Sequence, residues 1–122
     1  MLMKKGRKST GGKYKKARKK KFHEKAGIAT TPKLGEQKNK TKRKQGGSKK
    51  TITLSTDIAN ITNNKTSKKV KITNVIETPS NTFLARQNIL TKGTIIKTDI
   101  GKAKITNRPS QEGHVQGILI KE

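Results

Sequence analysis

The chain has 122 residues, no cysteine and a formal charge of +24 at pH 7. Lacking cysteine, it can form neither a disulfide nor a thiolate zinc site, and no run approaches the ~18 apolar residues of a membrane span. A soluble, intracellular protein of one small domain is expected. Residues 1–50 carry 20 Lys/Arg against Glu24 and Glu36, a net +18, while residues 51–122 carry only +6. So cationic a segment repels itself in water and is stable beside a dense polyanion, of which nucleic acid is the commonest.

Met1 to Lys8 has basic residues with no apolar stretch after them, so no secretory signal is expected. Lys4, Lys5, Arg7 and Lys8 lead into Thr10-Gly11-Gly12, which bends the arm and lets backbone N–H groups approach a phosphate closely. This stretch is no nucleotide loop of the Gly-x-x-x-x-Gly-Lys-[Ser/Thr] kind. Its spacing is one residue too long, Tyr14 follows the lysine, and no strand precedes it.

The densest cluster follows. Lys13, Tyr14, Lys15 and Lys16 are continued by Arg18, Lys19, Lys20, Lys21 and Phe22. Its two rings suit stacking on a base or wedging into a groove; equally, they suit anchoring the arm on its own domain. Charge repulsion forbids a helix over residues 13–22 until phosphates neutralise it. Residues 28–50 read as an extended connector with turns, carrying Lys42, Arg43, Lys44, then Gly46-Gly47, then Lys49 and Lys50. No zinc finger, homeodomain or RNP signature accompanies the charge, and an irregular arm with intact backbone donors suits folded RNA.

From residue 51 the texture changes. Residues 1–50 hold ten scattered apolar residues, whereas residues 51–122 hold 23, of which 15 are Ile or Val. Only the second set can offset a backbone entropy cost of about 1–2 kcal/mol per residue. Period-two alternation predicts strands at 51–54, 57–62 and 69–76, with a polar turn at 63–67. Pro79-Ser80-Asn81 stops the third strand and caps a two-turn helix over 82–88, which Gly93 closes. Strands at 94–98, 102–106 and 114–120 complete the chain, joined through 99–101 and 108–113. Five or six short strands with one short helix predict an all-β fold, a small closed or partly closed antiparallel β-barrel at 49–122, preceded by a basic extension at 1–48.

Nothing here reads as an enzyme. His23 and His114 lack a neighbouring carboxylate or thiol suited to make either a base or a ligand. The acids of the second segment, Asp57, Glu77, Asp99, Glu112 and Glu122, sit mostly beside turns or termini. No catalytic residue, metal ligand or cofactor is expected.

The run from Gly6 to Phe22 resembles the start of the archaeal and eukaryotic small-subunit ribosomal protein S8e. Leu34-Gly35-Glu36, Asp57-Ile58-Ala59-Asn60, Asn74-Val75-Ile76-Glu77-Thr78-Pro79, Asn88-Ile89-Leu90-Thr91-Lys92-Gly93 and the segment from Gly101 to Val115 resemble later parts of that family, in order. The length resembles the short archaeal form. The sequence departs from the family by lacking an aromatic just before Gly6 and by reading Gln45-Gly46-Gly47-Ser48 where Arg-Gly-Gly-Asn is usual. The resemblance implies a β-barrel with a basic extension, bound to small-subunit ribosomal RNA and held in the cytoplasm on the ribosome. The expected division of labour has the arm threading along RNA while the barrel docks through Arg86, Asn88 and Lys92, with Arg108 from the last hairpin. Arg86 and Arg108 have the alternative of holding a local carboxylate or carbonyl. Neighbouring ribosomal proteins are expected partners; a homo-oligomer, a membrane and a small-molecule substrate are not. A ribosome-assembly factor or a nucleoid DNA-binding protein is the alternative reading.

Overall fold

The computed structural model describes residues 6–14, 18–63 and 66–120. Its centre is a closed barrel of five strands, β4 (Ile58–Asn63), β5 (Thr66–Glu77), β6 (Ile95–Thr98), β7 (Gly101–Ile105) and β8 (Gln116–Leu119), hydrogen-bonded in that order. The expected all-β barrel is borne out, with one difference in its seam. Neighbouring strands run antiparallel, but β8 meets β4 in parallel, with Asn60, Ile61 and Thr62 opposite Gln116, Gly117 and Ile118. An odd number of strands that alternate in direction must close on one parallel pair.

The core follows from the alternation. Ala59, Ile61, Val70, Ile72, Val75, Ile96, Ala103 and Ile105 point inward from the strands, joined by Leu90 and Val115. The core's branched members, Ile, Val and Leu, suit a buried sheet face, and fully burying each of those stabilises by about 1.5–3 kcal/mol. Along β5 the buried positions step from Val70 and Ile72 to Val75, so the strand changes face by one residue. The register shifts there, and the Asn74 side-chain oxygen accepts the Val75 N–H at 2.9 Å. This bulge lets one twelve-residue strand bend from β4 to β6 without exposing its apolar set.

Asn81 caps α1 (Thr82–Arg86) as its sequence predicts, accepting the Phe83 N–H at 3.0 Å. The helix ends two residues earlier than expected, because Asn88 turns into the left-handed region at φ 52°. Asn63 and Thr66 close the ladder of β4 and β5; the Asn64-Lys65 tip of the expected turn lies outside the described residues.

The stretch read as a connector contributes two strands instead. β1 (Lys33–Leu34) and β2 (Lys38–Arg43) flank β3 (Lys49–Thr56) in a small sheet ordered β1-β3-β2, and β3 runs on into the barrel through Asp57. All six residues of β2 are exposed, so no apolar pattern announces it; the strand exists through its backbone ladder with β3. The connection turns at Gly46 and Gly47, both at positive φ (82° and 83°), where an L side chain is strained. The 108–113 loop seals β3's other edge: the Thr53 N–H donates to the Pro109 and Glu112 carbonyls at 3.1 and 3.3 Å.

Candidate nucleic-acid interface

Among the described residues, the cations expected to bind RNA fall into three groups. The first lies in the arm and opens on a tight turn. Arg7 and Lys13 face each other across it, and the Lys8 N–H donates to the Gly12 carbonyl at 2.8 Å. Gly11 takes φ 80°, and its carbonyl accepts the Arg7 guanidinium at 2.9 Å. The Thr10-Gly11-Gly12 bend predicted from the sequence is therefore formed, with its residues exposed. Lys8 Nζ stands 5.8 Å from the Tyr14 ring centroid, a cation–π distance. Lys4, Lys5, Lys15 and Lys16 lie outside the described residues.

Further along, Arg18 grips Glu24 with two hydrogen bonds, 2.5 and 2.7 Å. Glu24 also accepts the Lys21 N–H at 3.0 Å, which closes a single 3₁₀ turn at Phe22–Glu24. The Arg18 guanidinium and the Lys21 N–H hold the Glu24 carboxyl below its ordinary value of 4.5, and the pairing raises Arg18 in turn. Lys19, Lys20 and Lys21 remain exposed beside the pair. Phe22 is 91% exposed, so it does not anchor the arm on the barrel.

The second group lies on the β2–β3 hairpin. Its register sets Lys42 opposite Lys50 and Arg43 opposite Lys49, with Lys44, Gly46 and Gly47 in the turn. Like charges directly opposite on a sheet destabilise it. Lys50 donates to the Gln111 side chain, and no acid faces the other cations across the ladder. The fold thus gathers the second group of predicted residues into one concentrated positive end.

The third group lies on the margin of the barrel. The Leu34 N–H donates to the Asn88 carbonyl at 2.9 Å and the Leu90 N–H to the Pro32 carbonyl at 2.8 Å. These bonds pin the root of the arm to the loop after α1, which carries Asn88 and Lys92. Arg86 and Arg108 are exposed, and neither guanidinium has a hydrogen-bond or ion-pair partner among the described residues. Arg108 opens the loop against Thr53, while β1 pairs with Ser55 and Thr56 on the same edge of β3. Hairpin, Arg108 and the α1 loop therefore follow one another along a strand of eight residues, a track of about 25 Å.

Sequence reasoning missed two features. Glu112 stands 3.8 Å from His114 Nε2 and accepts from the Asn107 side chain at 3.0 Å, so His114 does have a carboxylate neighbour two residues away. No group of three His, Asp or Glu side chains converges among the described residues. The other is Phe83, on the outer face of α1 and 67% exposed.

The fold is that of a basic β-barrel protein, an aliphatic barrel with a long cationic extension and further cations arrayed on its margin. The chain belongs to the ribosomal protein S8e family, whose model matches residues 2–120. The resemblance seen in its motifs is thereby borne out, and the family is one of structural ribosomal proteins, not of enzymes. The chain is 43% identical over 116 residues to the small ribosomal subunit protein eS8 of Methanocella arvoryzae, covering 93% of each chain. It is 40% identical over 115 residues to that of Haloarcula marismortui, covering 94% of each. With that of Methanococcus aeolicus it shares 46% over 121 residues, 95% of this chain and 93% of the relative.

Proposed function

We propose that this chain is a structural constituent of the small ribosomal subunit, binding small-subunit rRNA and supporting subunit assembly and translation. The observation that carries the reading is the family match over residues 2–120, which runs through the basic arm as well as the barrel. Residues 1–48 act as the RNA-binding extension and residues 49–122 as the docking domain, although β1 and β2 belong structurally with β3. The arm's cations from Lys4 to Lys21 neutralise phosphates and order further as they bind. Lys42, Arg43, Lys44, Lys49 and Lys50 meet the backbone at the hairpin end, where RNA relieves their mutual repulsion. Arg86, Asn88, Lys92 and Arg108 then seat the rigid barrel. Neighbouring ribosomal proteins complete the surroundings of a ribosome-bound, cytoplasmic protein that itself catalyses nothing.

If 6–10 phosphates are neutralised, affinity for rRNA falls by about 10³–10⁵ between 50 and 200 mM salt. Sedimentation of a native lysate through a sucrose gradient tests the reading. Stoichiometric migration with mature small subunits and 70S particles is expected. Confinement to precursor particles would assign the chain to assembly instead, and migration with DNA would assign it to the nucleoid.

A further inference from the structure

The chain has three aromatic side chains and buries none of them in its core: Tyr14 is 41% exposed, Phe22 91% and Phe83 67%. The apolar core of the barrel is made of Ile, Val, Leu and Ala, and no ring enters it. Aromatic rings are large apolar groups that ordinarily dominate a core or an interface, so leaving all three outside points to a bound partner. Phe83 differs from the other two because it stands on the folded domain. Asn81 holds its N–H, Leu84 and Ala85 are half-buried beneath it, and Ala85 packs on the core. The ring is thus carried on a fixed backbone.

Charge identifies the partner. Arg86 follows Phe83 at i+3, the spacing that places two side chains on one helix face. The arm root pinned beside this helix brings Lys33 against Ile89, and Lys92 follows in the same loop. Residues 78–98 contain no acid, nor do residues 25–35. A ring one helical turn from Arg86, with Lys33 and Lys92 in the adjoining segments, fits a partner that is both aromatic and anionic. Resting on the rRNA reading above, we propose that Phe83 is a stacking platform for an unpaired nucleobase of small-subunit rRNA, with Arg86 on the adjoining phosphate.

Titration of the full chain against rRNA extracted from small subunits, at several salt concentrations, tests this. Phe83→Ala should weaken binding about 5- to 100-fold, the range of one stacked base, with the slope of log affinity against log salt unchanged. Arg86→Ala should instead lower that slope by about one. Phe83→Tyr should restore affinity and Phe83→Leu should not, since leucine keeps the apolar area without the π face. Because the ring is exposed, all four variants should melt like the parent. Parental affinity in Phe83→Ala or Phe83→Leu would overturn the inference. So would unaltered rRNA binding by Phe83→Ala combined with poorer retention in reconstituted subunits, which would assign the ring to a protein neighbour. A parent chain that failed to bind rRNA would overturn the rRNA reading as well as this inference.

Discussion

Arg18 and Glu24, six residues apart in the basic arm, are joined by a bidentate ion pair, with oxygens at 2.5 and 2.7 Å. One of the two acids among the first fifty residues thus occupies one of the three arginines that the arm and hairpin supply. An RNA phosphate that takes Arg18 must displace a carboxylate already seated in the guanidinium fork.

Glu24→Gln should therefore raise affinity for small-subunit rRNA by about two- to tenfold and steepen the salt dependence by about one unit, read by titration at several ionic strengths. The pair also has a pH signature. The folded carboxyl lies below its ordinary value, so its contribution to the Phe22–Glu24 turn is complete above the usual carboxylate range. That contribution is lost as pH falls through the depressed folded value. In an NMR titration the Lys21 amide should hold its hydrogen-bonded shift through the ordinary glutamate midpoint and lose it only below.

At the hairpin, Arg43 faces Lys49 across the ladder. Lys49→Glu converts a repulsive cross-strand pair into an attractive one and should stabilise the free protein by about 0.2–1 kcal/mol. The same change should weaken rRNA binding about tenfold, through one lost phosphate contact and a new repulsion. Opposite signs in a thermal melt and a binding titration would show that the charge is kept for the partner; equal signs would count against the interface.

Gly117 marks the parallel seam. A Cβ there would stand 2.9 Å from the Lys104 carbonyl oxygen and 3.0 Å from Ile61 Cδ1. Gly117→Ala must push β7 and β4 apart, so it should cost about 1–3 kcal/mol and lower the melting temperature by about 5–20 °C. Thermal unfolding followed by circular dichroism measures this directly.

Proteolysis separates the arm from the sheet. Brief trypsin treatment of RNA-free protein should cut first at Lys19, Lys20, Lys21 and Lys25, and should spare Lys33 and β2, whose backbones are engaged. Mass spectrometry of the early fragments reads the boundary. Early loss of everything up to residue 48 would contradict the pairing of β2 with β3.

Much of this protein is legible in local pattern. Val70 and Ile72 alternating with lysines announce a half-buried strand, Asn81 announces a helix start, and +18 in fifty residues sets a cationic arm apart from the aliphatic remainder. Each is a property of neighbouring residues, set by side-chain period, cap chemistry or charge density. The structure alone decided the rest. β2 reads Lys-Asn-Lys-Thr-Lys-Arg with every side chain exposed, and only the backbone ladder offered by β3 makes it a strand. The parallel seam at Gly117, the grip of Arg18 on Glu24 and the fastening of the arm root to the α1 loop also join groups that local pattern cannot pair. Backbone hydrogen bonds and close approach choose such partners, and they become available only once the chain has folded back on itself.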